Sequence, residues 1–179
     1  MRAALGDISR YQGMIDGIKI RAAGFSGIIS RCTIGLSEDG TSIGRGLDFY
    51  RNSQAQARDQ GLIFGAYHVL WPANNKPTQE ADHFLARCGD IDLAVIDVEL
   101  LHGLPLSQVQ AQTRGWLERV RPSLTVPLVI YTASWFWTSS AGWENDYPLW
   151  EAEYILSQPR GGITRSQQPE PPKVPGPLS

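Results

Sequence analysis

Few residues in this chain suit metal or disulfide chemistry. There are two cysteines and three histidines. Cys32 and Cys88 fall in segments that read as a strand and a helix; they could pair, but are expected as small buried side chains with free thiols. His68, His83 and His102 show none of the spacings of a metal-binding helix, so neither metal nor cofactor is expected. There is no G-x-S-x-G turn to present a serine nucleophile and no G-x-x-x-x-G-K-[ST] loop to cradle phosphate. An excess of one charge is also lacking: 16 Lys and Arg stand against 18 Asp and Glu, for a net charge of −2. Without a basic run, nucleic acid is not an expected partner. Apolar runs last only a few residues, far short of a membrane span, so membrane insertion is not expected. Met1-Arg2 leads almost directly into Gly6-Asp7-Ile8-Ser9 with no apolar stretch between. No signal peptide is read there, and synthesis in the cytoplasm or export by a signal outside this sequence are the two expectations.

What the chain does have is the composition of a folded domain, 42% hydrophobic and 19% charged over 179 residues, enough for one substantial core. Apolar runs at Gly27–Cys32, Leu62–Val69, Leu93–Val98 and Pro127–Thr132, with a weaker one at Pro148–Tyr154, read as buried strands. Helical periodicity lies between them. Pro77 and Thr78 open a helix with Ala81, Phe84, Leu85 and Cys88 on one face. A second carries Val109, Thr113, Trp116, Leu117 and Val120 as its stripe, with Ser107 and Gln110 spaced as a capping box. Asp48 to Gln60 is a third, closed by Gly61. This alternation predicts α/β architecture with a parallel sheet covered on both faces. An open doubly wound sheet and a closed barrel both fit. The barrel is favoured because no G-x-G-x-x-G follows the first strand. The stretch from Gln168 to Ser179 holds five prolines, which excludes a helix or an inner strand there. The expected division is a barrel domain over residues 1–158 and a proline-rich tail, or the start of a further segment, over 159–179.

Acidic chemistry concentrates in Leu93-Ala94-Val95-Ile96-Asp97-Val98-Glu99. Strand residues two apart face the same side, with alpha carbons about 6.5–7 Å apart, so Asp97 and Glu99 project together from the end of a buried strand. In a barrel that end gathers catalytic groups. Mutual repulsion raises the pKa of one of two close carboxyls, and one protonated acid beside a charged one is the requirement of glycoside hydrolysis. Two acids that merely face solvent or pair with Arg or Lys fit the same local sequence. Asp7, where a short β-prone start runs into a polar turn, is a third carboxylate for the same mouth, or a structural turn residue. Tyr67 and His68 end another apolar run, His68 as a binding residue or a satisfied core histidine. Tyr131 ends a third. Trp71, Trp135, Trp137, Trp143 and Trp150 fall in or beside loops at strand ends, where indole faces offer platforms for sugar rings. For Trp135 and Trp137, loop or core packing is the plainer expectation.

Taken in order, these residues resemble glycoside hydrolase family 25, the Chalaropsis-type lysozymes. The resemblance rests on Asp7-Ile8-Ser9 with Gln12-Gly13, and on Gly27-Ile28-Ile29-Ser30-Arg31 ahead of Thr33-x-Gly35. Ala57 through Gly61 then leads to Gly65-Ala66-Tyr67-His68, followed by Asp97-Val98-Glu99, Ile130-Tyr131-Thr132 and Pro148-Leu149-Trp150-x-Ala152-x-Tyr154. It spans roughly residues 5–155. It implies a modified TIM-like (β/α) barrel with its groove at the strand carboxyl ends, and hydrolysis of the β-1,4 bond between N-acetylmuramic acid and N-acetylglucosamine in peptidoglycan. By position, Glu99 matches the general acid, and Asp97 and Asp7 its supporting carboxylates. Tyr67, Tyr131 and Trp150 match the lining of the sugar subsites. Arg31, His68 and Trp71, at or just past the same strand ends, are further candidates for binding substrate.

Three departures from the family pattern stand out. Ile34 replaces a common Glu, Glu151 occupies a usually apolar position, and the closing C-terminal strand is not recognised. The last leaves a catalytically weakened wall-binding module as the alternative to an active muramidase. A barrel glycosidase acting on chitin or another β-linked polysaccharide is a third reading. A monomeric, bacteriolytic endolysin of phage or prophage type, released to the wall by another protein, fits the absence of a signal peptide.

Overall fold

The computed structural model describes residues 4–38, 47–133 and 135–152. Tyr154, the proline-rich stretch and the expected boundary at 158 lie outside the described residues. A parallel sheet runs in the order β1 (Leu5–Ile8), β2 (Gly27–Ile34), β4 (Ile63–Val69), β5 (Leu93–Asp97), β6 (Leu128–Ala133) and β7 (Leu149–Ala152). The two-residue strand β3 (Ser37–Glu38) turns back antiparallel on the end of β2. Among the described residues β1 and β7 are the ends of this path, and no ladder joins them. The curled sheet is thus a part-closed barrel of the expected type, with no closing strand among the described residues.

Strand pattern and helix stripes explain the layers. One face of the sheet, with Ile28, Cys32, Phe64, Ala66, Ala94, Ile96 and Ile130, packs against α2 (Asp48–Asp59), α3 (Pro77–Cys88) and α4 (Leu106–Val120). The predicted stripe Val109, Thr113, Trp116, Leu117 and Val120 is wholly buried there. Cys32 and Cys88 are free and buried in this core, and burial raises both thiol pKa values. Arg119 of α4 pairs with Asp82 of α3 at 2.7 Å across the helix surface.

Helix boundaries follow local chemistry, with one correction. Gly61 takes φ 61°, and the Leu62 amide donates to the Ala57 carbonyl at 2.9 Å, so the glycine stops α2 as expected. The Ser107–Gln110 capping box does not form: α4 begins one residue earlier, after Pro105, with no side-chain cap. Gln110 instead donates to the Ser139 carbonyl at 2.6 Å, tying the loop after β6 to the helix. The reciprocal box appears at Ser9 and Gln12, around the short 3-10 turn Arg10–Gln12 that follows β1. A short helix that the periodicity did not reveal, α1 (Gly17–Ala22), is capped by Asp16, whose Oδ1 accepts from Ile18 and Lys19. It packs on α2 so closely that a β-carbon on Gly17 would lie 2.5 Å from the Gln56 carbonyl oxygen.

Candidate active site

The second face of the sheet is the inner one, and its residues follow from register. Asp7 pairs with Ile29, Arg31 with Tyr67, Tyr67 with Val95, Asp97 with Tyr131, and Tyr131 with Trp150. Alternation places these side chains on one side of the strands. Asp7, Tyr67, Val95, Asp97, Tyr131 and Trp150 surround one cavity of about 10 Å³, while Ile29 and Val95 form a dry floor, each no more than 2% exposed. The barrel interior is therefore packed, and the polar groups rise from it at the carboxyl ends of β1, β4, β5, β6 and β7. A larger cleft, of about 380 Å³, lies between the end of α4 and the segment before β7, lined by Arg114, Arg121, Trp143 and Tyr147. No inner-face carboxylate reaches it.

Electrostatics sets the inner cluster apart. Asp97 is held well above the usual carboxylate range, first by burial, then by the charges of Glu99 and Asp7, with Arg31 opposing. Its Oδ1 is buried and has no hydrogen-bond partner among the described residues. Glu99, just past the end of β5 and only half-buried, is also pushed up, by burial. Three carboxyls and one guanidinium near each other in a poorly solvated mouth retain a proton at pH values where isolated carboxyls have lost theirs. Such a cluster can donate a proton to a leaving group while stabilising developing positive charge.

Tyr67, Tyr131 and Trp150 line this cluster, and further aromatic rings follow the same strands. Tyr131 and Trp150 meet edge to face at 5.0 Å. Trp71, in the turn after β4, lies on His102 at 4.1 Å. Trp135, just past β6, is 63% exposed rather than packed, whereas Trp137 packs on Trp143 and against the core. Tyr11 did not stand out in the sequence: it is 62% exposed beside β1, with the Arg31 guanidinium 5.6 Å from its ring centre. Its position in Ser9-Arg10-Tyr11-Gln12, inside the capped turn after Asp7, was the available signal.

His68 is corrected. It lies on the outer, helix-covered face with no exposure, stacked on Trp116 at 5.4 Å and bonded to Thr33 and Glu80. It cannot touch a ligand in the groove, because its strand neighbour Tyr67 takes the inward position. Glu151 is exposed, so this departure from the family pattern leaves the packing undisturbed.

A family model described as glycosyl hydrolases family 25 matches residues 6–167. The chain is 33% identical over 160 residues to the uncharacterized protein YegX of Escherichia coli O157:H7, covering 86% of this chain and 57% of that protein. It is 30% identical over 157 residues to the autolytic lysozyme of Clostridium acetobutylicum, covering 86% and 45%. It thus spans about half the length of the curated relatives it matches. Among solved structures, the bacterial lysozyme from Streptomyces coelicolor aligns with a TM-score of 0.71 at 25% identity, over 90% of this chain and 79% of that one. The muramidase from Acremonium alcalophilum aligns at 0.74 and 24% identity, over 90% and 81%, a likeness of fold.

Proposed function

The chain belongs to glycosyl hydrolases family 25, and from that membership we propose that it is a peptidoglycan hydrolase of the muramidase type. It would cleave the β-1,4 bond after N-acetylmuramic acid. The observation that carries this reading is the carboxylate cluster: Asp97 and Glu99, both pushed above their ordinary pKa values, at the mouth of a part-closed barrel with Asp7 and Arg31 beside them. Glu99, the more accessible of the two on β5's end, is the proton donor to the leaving sugar oxygen. Asp97 and Asp7, which share the cluster's proton with Glu99, supply the carboxylate charge that stabilises the oxocarbenium-like charge on the sugar or its acetamido group. Tyr131, Trp150 and Tyr67 bind sugar rings near the cleavage point, with Trp71 and Tyr11 further along the mouth and Arg31 positioned to hold the cluster's charge.

We further propose that the partner is bacterial peptidoglycan, with no role for nucleic acid, and that the chain acts as a monomer, residues 1–158 holding the catalytic unit and 159–179 a tail. Among the described residues no helix is long and apolar enough to cross a membrane. One solved relative is an endolysin, which supports action on the wall after release from the cell.

The experiment is digestion of purified peptidoglycan and of chitin, followed by borohydride reduction of the new ends. Muramitol released from peptidoglycan, with chitin untouched, is the expected result. Glucosaminitol from peptidoglycan would contradict the bond assignment, and cleavage of chitin alone would favour the other β-linked polysaccharides.

A further inference from the structure

Glu80 stands in the first turn of α3 with no exposure, on the far side of the sheet from the carboxylate cluster. One of its oxygens, Oε2, accepts from His68 Nε2 at 2.8 Å and from the backbone N–H of Trp71 at 3.0 Å. His68 Nδ1 lies 2.7 Å from Thr33 Oγ1. A neutral ring with its proton on Nε2 satisfies all three groups, the threonine hydroxyl donating to Nδ1. Burial, which lowers the His68 pKa against the opposing influence of Glu80, favours that neutral form. The other Glu80 oxygen, Oε1, is buried with no hydrogen-bond partner among the described residues. A carboxylate so placed carries a desolvation penalty that an apolar side chain of similar size would not.

Through Trp71 the network reaches the carboxyl end of the sheet, where β4 gives way to its turn. Its ring rests on His102 at 4.1 Å, three residues past Glu99, in a turn where His102 has φ 49°. On its other side is the turn after β2, where a β-carbon on Gly35 would lie 3.0 Å from the Trp71 Cβ. Trp71 therefore joins the turns that follow β2, β4 and β5. The backbone N–H bonded to Glu80 fixes where its indole emerges.

We propose that Glu80 is a positioning residue: through the Trp71 amide it sets the Trp71–His102 wall beside Glu99, against which the glycan is held. The role of that wall rests on the glycosidase reading above. The position of the wall does not, so the two can be tested apart. Glu80→Leu removes both hydrogen bonds, Glu80→Asp keeps the charge but withdraws it by one methylene, and Glu80→Gln retains an acceptor at full length.

Proton NMR of His102 reads the wall directly, since the indole ring current displaces its ring protons. The Leu and Asp variants should lose that displacement and Gln should retain it. On peptidoglycan, Leu and Asp should raise KM about tenfold, the scale of losing one aromatic contact with the sugar. Their kcat should stay within about threefold, Gln should restore KM, and adding Trp71→Ala to Glu80→Leu should cost nothing more. If Glu80→Leu fails to fold, Glu80→Asp carries the same comparison. Unchanged His102 shifts in a folded Leu or Asp variant would overturn the proposal, as would a lowered melting temperature with an unchanged KM. A wild type that releases no reducing ends would sink the glycosidase reading, while the His102 shifts would still decide the positioning.

Discussion

Asp97 carries the electrostatic conflict of the site, and its consequences are testable one residue at a time. Its folded-state pKa is raised by burial and by Glu99 and Asp7. A carboxyl shifted upward contributes stability below its unfolded pKa and loses it as pH rises towards and through the folded value. The contribution of Asp97 to stability should therefore fall as pH rises above about 4, the ordinary carboxylate range. Asp97→Asn should flatten that slope, leaving the share that burial of Glu99 contributes, and melt at a higher temperature than wild type at pH 7, while turnover collapses. Thermal melts across pH 4 to 8 check the first part, and a variant no more stable than wild type at neutral pH would contradict it. Asp7→Asn removes one of the charges that hold Asp97 up. The cluster then loses its proton at lower pH, so the alkaline limb of the kcat/KM profile should move downward in whatever activity survives. A limb that stays in place would separate Asp7 from the cluster.

At the scale of elements, Gly61 offers the cleanest test, because its φ of 61° alone decides how α2 ends. Gly61→Ala should lower stability by about 1 kcal/mol without affecting catalysis, as followed by urea unfolding. The main strands and the three long helices were legible because their apolar periods are long and bounded by Pro or Gly. The helix α1 was not: six residues of Gly-Ile-Lys-Ile-Arg-Ala complete fewer than two turns, too short for a period to emerge. Asp16, its cap, was the remaining clue. The start of α4 was misread because Ser107 and Gln110 have capping-box spacing, yet tertiary contact drew Gln110 to Ser139. Alternation put Asp97 and Glu99 on one side at the end of β5, but whether that side met solvent or the groove was not legible from it. The inward or outward choice for Tyr67 and His68 was not, since adjacent residues on a strand face opposite ways and only register and helix cover settle which enters the groove. The bulge in β2 between Arg31 and Thr33 adds to this, shifting Thr33 onto the outer side where it meets His68.

Across the whole molecule, the packed barrel floor and the helix-backed outer core form a rigid base beneath a polar rim. That arrangement suits a cluster whose charges must be held close against their own repulsion. The family match extends to residue 167, beyond the expected domain boundary at 158. Chains ending at 158 and at 167 should be compared with the full sequence by thermal melting. If 159–179 is a tail, all three melt together within about 2 °C, less than the shift from 1 kcal/mol in a domain of this size. A lower midpoint for the 158 chain alone would place the end of the folded unit between 158 and 167.

Whether Glu99 donates the proton in a glycosidase site is decided by reducing-end release from purified peptidoglycan, wild type beside Glu99→Gln, with circular dichroism confirming that both are folded. Wild type should release reducing ends, and the variant should lose at least about 10²-fold, the usual scale for general acid catalysis. A folded Glu99→Gln protein that kept wild-type rates would contradict it.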